Sequence, residues 1–176
     1  MRIIREESIA FVIDIQERLV PVMSGKTALI EKASILTAGL KELEVPLYIT
    51  QQYTKGLGKT VEEITDAAGS DAYIEKIRFS AFEEIKEKLA DKKYVIVYGI
   101  EAHICVLQTV IELSAAGYVP VLVTDCVSSR KEGDLEMALK RAEKEGAILT
   151  TYEALLFELL EAAGTKTSRK IQHLIK

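Results

Sequence analysis

Residues 93–127 read KYVIVYGIEAHICVLQTVIELSAAGYVPVLVTDCV. Two nearly unbroken apolar runs, KYVIVYGI (93–100) and YVPVLVTDCV (118–127), flank HICVLQTVIELSAAG, where apolar residues recur at helical spacing. A strand-sized run without alternation belongs to a strand buried on both faces. Strand, helix and strand in succession predict a crossover unit with two parallel strands.

The same alternation extends in both directions. Toward the N-terminus lie SIAFVIDI (8–15), the helical pattern TALIEKASILTAGLKELE (27–44) and the strand VPLYITQ (45–51). A loop with Gly56 and Gly58, a short helix over 60–67 and the strand AYIEK (72–76) follow, and SAFEEIKEKLA opens with a serine cap. Beyond the opening stretch come a helix over 133–145, a sixth strand AILTTY (147–152) and the helix EALLFELLEAA. The pattern predicts one domain over 1–176: a three-layer α/β/α fold around a six-stranded, parallel, doubly wound, Rossmann-like sheet. In such sheets the ligand site lies at the carboxyl ends of the strands, where the winding reverses.

Composition limits what the chain does. With 48% hydrophobic and 28% charged residues, its 176 residues suit one folded domain rather than a disordered chain. A net charge of −4 offers no broad footprint for nucleic acid. The basic tail KTSRKIQHLIK is expected to be a solvated helix face, with Ile171, Leu174 and Ile175 docking on the body or on another subunit. MRIIREES lacks the apolar core of a secretory signal, and the apolar runs are too short to span a bilayer. A cytoplasmic protein with two reduced cysteines and no membrane partner is expected.

Three strand ends carry reactive groups. Asp14 closes the first strand, where partial desolvation suits a carboxyl to proton transfer. Lys76 closes the third, a fixed cation or an ordinary surface lysine. Cys105 begins the helix after the fourth; free N–H groups, the helix dipole and a nearby lysine are expected to lower its pKa, against the alternative of simple packing. Placing strands one and four side by side brings Asp14 to Cys105. Lys76 then sits two strand spacings away, about 9–10 Å, and must lean across the second strand. His103 is a poor partner for Cys105, because residues two apart on a helix diverge. Cys126 reads as a buried small hydrophobe, and His173 as structural.

The ordered set FVIDIQ, KIRFSAF, GIEAHICVLQT and GYVPVLVTDCVSSR resembles the isochorismatase-like, or cysteine hydrolase, superfamily, which includes nicotinamidases and N-carbamoylsarcosine amidases. TQQYTKGLGKTVEE and IQHLIK bring it closest to the isochorismatase-domain-containing proteins. The resemblance implies Cys105 as nucleophile, Asp14 as proton-transfer residue and Lys76 as stabilising cation. It further implies a cis peptide between Ile100 and Glu101, with the N–H groups of Glu101 and Cys105 forming an oxyanion hole. Gln52, Tyr53, Phe79 and Phe82 are the expected substrate contacts. Where nicotinamidases hold a metal, this chain has Gln52 and Thr54, and its two histidines lie elsewhere. No metal or cofactor is therefore expected. The implied activity is hydrolysis of a C–N bond in a small molecule by a homo-oligomer. Vinyl ether hydrolysis, a binding module without turnover and a redox-sensing thiol stay open as alternatives.

Overall fold

Ser8–Ile13 forms strand β1, and all six of its residues are buried, as a strand covered on both faces requires. The computed structural model describes residues 1–89 and 91–176; Ala90, the last residue of SAFEEIKEKLA, lies outside them. The other strands are β2 (Leu47–Gln52), β3 (Ile74–Lys76), β4 (Tyr94–Ile100), β5 (Val119–Ser128) and β6 (Ile148–Thr150). They form one sheet in the order β3-β2-β1-β4-β5-β6, every pair parallel. The winding reverses between β1 and β4, so the predicted doubly wound topology holds.

The helices are α1 (Lys26–Glu42), α2 (Thr54–Leu57), α3 (Glu62–Ala68), α4 (Phe82–Leu89), α5 (Leu107–Ala115), α6 (Glu132–Lys144), α7 (Tyr152–Leu160) and α8 (Lys166–Ile175). α1 packs with α3, α7 and α8, whereas α5 packs with α4 and α6; these are the two outer layers. Leu29, Ala33, Leu36 and Leu40 form a buried stripe on α1, the three-and-four spacing that faces a helix to a sheet. α8 docks on the body of its own chain: Ile171 is buried, Leu174 and Ile175 pack against the core, and Lys170 pairs with Glu42 at 2.7 Å.

Several element boundaries shift by one or two residues from the sequence reading, and two of the shifts have a clear local reason. β6 stops at Thr150 because the Thr151 hydroxyl accepts from the Ala154 N–H and starts α7 at Tyr152. β1 stops at Ile13 because Asp14 takes a positive φ of 51°, a conformation aspartate tolerates better than most residues.

β4 and β5 pair with a break in register: Val97 lies opposite Leu122, but Gly99 opposite Val127. The bulge lies beside Gly99, whose φ is +128° and whose position leaves no room for a side chain. A Cβ there would stand 2.1 Å from the Ile13 carbonyl oxygen. Gly99→Ala is expected to destabilise the fold by about 2–6 kcal/mol, combining overpacking and backbone costs of about 1–3 kcal/mol each. Urea unfolding measures this, and a midpoint equal to the parent's would refute the close approach.

Candidate active site

The positive φ at Asp14 turns the chain directly after β1, and its side chain is fully buried at the carboxyl end of the sheet. Oδ1 accepts a hydrogen bond from Thr50 Oγ1 at 2.7 Å. Oδ2 lies 2.7 Å from Lys76 Nζ.

Lys76 ends β3 in register with Gln52 of β2, so its stem crosses β2 to reach Asp14, as the strand order requires. Its side chain is fully buried. The ammonium donates to Gln52 Oε1 at 2.7 Å, to the Arg78 carbonyl at 3.0 Å and to the Phe79 carbonyl at 2.8 Å. An ammonium has only three protons, and these acceptors engage them all. Asp14 Oδ2 shares this crowded ammonium at 2.7 Å, so the carboxyl feels the charge of Lys76 directly while the thiol of Cys105 also lies within reach. Lys76 is held as a fixed charge beside the carboxyl.

Cys105 lies in a wide turn between β4 and α5, in which the Val106 N–H reaches back to the Glu101 carbonyl at 3.2 Å. The preceding Ile100–Glu101 peptide is cis. The thiol is buried, within hydrogen-bonding reach of Asp14 and of the Glu101 backbone N–H.

Burial and then the Asp14 charge push the Cys105 thiol up to about 12, against the smaller opposing effects of Lys76 and the Glu101 N–H. The expected lowering of the thiol pKa is thus corrected. Placement at a helix start does favour the thiolate, but desolvation by burial outweighs it. Asp14 is also raised, first by burial, with Lys76, Thr50 and Cys105 acting in the other direction. Both groups of the pair are thus shifted toward their protonated forms, with the Asp14 carboxyl within hydrogen-bonding reach of the thiol.

The remaining candidates divide by position. Gln52 is buried with both ends engaged, accepting from Lys76 and donating to the Ile77 carbonyl at 2.7 Å; it holds the lysine. Tyr53 and Phe79 are half-exposed near the site, and Phe82 packs against the core. The Glu101 carboxylate turns away to Arg130 Nε at 3.0 Å. His103 also turns away, its Nδ1 2.8 Å from Ser129 Oγ. Cys126 is buried, and both cysteines are free.

Thr54 Oγ1 donates to Gln51 Oε1 at 2.7 Å and contacts Glu75, so the stretch that aligns with a metal site satisfies its own polar atoms. Among the described residues no group of three or more His, Cys, Asp or Glu could hold a metal. Two contributors went unread in the sequence, Thr50 and Gln16. Gln16 ties the β2 terminus to the next loop through the Gln52 N–H at 2.7 Å and the Gly58 carbonyl at 2.8 Å. The available signal was polarity in a buried stretch, since such groups must find partners.

Comparison with known proteins places this geometry among relatives. The family described as Isochorismatase domain matches residues 8–154. Isochorismatase domain-containing protein 1 of Danio rerio is 34% identical over 173 residues, covering 96% of this chain. The chain spans 61% of that relative's length. The secreted isochorismatase effector Isc1 of Phytophthora sojae (strain P6497) is 33% identical, covering 99% of this chain and 87% of its own. A solved MAR1 ribonuclease of Caenorhabditis elegans superposes with a TM-score of 0.94 at 35% identity, covering 99% of this chain and 92% of that one. No helix among the described residues is long and apolar enough to cross a membrane.

Proposed function

The chain belongs to the isochorismatase domain family, and from that premise we propose that it is a metal-independent cysteine hydrolase cleaving an amide or carbamoyl C–N bond of a small molecule. One observation carries the reading: the buried Asp14 carboxyl lies between a locked ammonium and a thiol, within reach of both.

Asp14 takes the proton of Cys105 as sulfur attacks the substrate carbon, and the carbonyl electron pair moves to oxygen. The N–H groups of Glu101 and Cys105 receive that oxyanion. Asp14 then gives its proton to the leaving nitrogen as the C–N bond breaks, leaving a thioester on Cys105. Water attacks the thioester and loses a proton to Asp14; the C–S bond breaks, and the proton returns to sulfur. The Lys76 charge favours carboxylate and thiolate alike and transfers no proton itself.

The reading carries a homo-oligomer in a reducing compartment. Exposed Tyr53, Tyr73, Ile77 and Phe79 support self-association. A screen of small amides, ureas and carbamoyl compounds against the Cys105→Ala control tests the activity. Release of ammonia or amine by the parent alone is expected. The name of the nematode relative calls for a second arm, cleavage of single-stranded RNA. The net charge of −4 and the engaged protons of Lys76 favour the small-molecule arm.

A further inference from the structure

Lys76 is held by two main-chain carbonyls, Arg78 and Phe79, so its position depends on what fixes the loop between β3 and α4. That loop is anchored to the helix that follows Cys105. The Thr109 hydroxyl, fully buried on α5, accepts from the Ala81 N–H at 2.9 Å and donates to the Cys105 carbonyl at 2.7 Å. A hydroxyl has one proton to give, and here it goes to the backbone of the candidate nucleophile. One turn along α5, Glu112 Oε2 accepts from Ser80 Oγ at 2.6 Å, and Ser80 Oγ accepts from the Phe82 N–H at 3.2 Å.

We propose that Thr109 is a positioning residue, setting the distance between the loop that holds Lys76 and the turn that holds Cys105. It touches no reacting atom. Its hydroxyl joins two segments that approach the site from opposite sides of the β1–β4 switch point, so that charge, carboxyl and thiol keep one geometry. The proposal rests on the reading of Cys105, Asp14 and Lys76 given above and deepens it.

The test is the alkylation of Cys105 by iodoacetamide between pH 7 and 9.5, followed on the Cys105 peptide by mass spectrometry, in Thr109→Val and Thr109→Ser. Valine keeps the volume and removes both bonds, whereas serine keeps the hydroxyl. The charged groups facing the thiol are Asp14 from the end of β1 and Lys76 from β3. When Lys76 drifts away the thiolate loses its stabilising cation, so the valine variant is expected to alkylate about tenfold more slowly at pH 8, the change produced by a one-unit rise in an acid's pKa. Serine is expected to match the parent. A folded valine variant alkylated at the parent's rate at pH 8, or faster, overturns the proposal. So does a serine variant slowed about tenfold despite its hydroxyl, and that arm decides even if valine does not accumulate as folded protein. Alkylation needs no substrate, so this result is separable from failure of the hydrolase reading, which hydrolysis unchanged by Cys105→Ala would mark.

Discussion

Cys105→Ala is expected to lower turnover of a confirmed substrate by at least about 10⁴-fold, the scale on which nucleophiles acting as part of a unit are lost. The fold should persist. The thiol is buried but small, so its removal is expected to cost about 1–2 kcal/mol through lost packing, together with loss of its hydrogen bond to Asp14. Thermal unfolding and steady-state kinetics on the same preparation check both halves. Retained hydrolysis would remove Cys105 from the chemistry, whereas an unfolded variant would mean that its packing role had been underestimated.

Lys76→Met combines the largest expected loss of stability with a loss of activity. Methionine approximates the volume of the stem, but it leaves Asp14 as a buried carboxylate without its cation. Breaking one side of a buried ion pair costs about 3–5 kcal/mol. The pH dependence has a definite sign. Burial already raises Asp14, and Lys76 is its strongest opposing influence, so the variant must hold the Asp14 proton to higher pH than the parent. A group with a raised folded pKa favours the fold below its unfolded pKa and loses that contribution as pH rises through the folded value. The stability gap between parent and Lys76→Met should therefore be small near pH 4 and widen toward pH 8. A constant gap across that range would show that Lys76 acts by packing alone.

Most of the fold was legible because the apolar pattern expresses burial directly: β1, β4 and β5 are nearly continuous hydrophobic runs, and a parallel sheet follows. Asp14, Lys76 and Cys105 were legible as a set because each closes or follows a strand. The protonation state of Cys105 was not. A helix start argues for a lowered thiol pKa, and the burial of the thiol, a property of the assembled sheet, argues more strongly the other way. Gln52 was read as a substrate contact from its strand-end position, yet register with Lys76 makes it the lysine's acceptor. Thr109 lay hidden in a helical pattern, since its partner Ala81 is close only after the chain has folded.

A proton kept on Cys105 has a consequence for the chemical survival of the site. Peroxides and stray electrophiles react with thiolates, and a thiol pushed up to about 12 offers them almost none at neutral pH. In the proposed hydrolase the thiolate forms only as sulfur attacks a bound carbonyl and Asp14 takes the proton, so the nucleophile would be armed by its own target. Such a centre should resist hydrogen peroxide at concentrations that oxidise sensor thiols, and it should age slowly, because between turnovers it is chemically quiet.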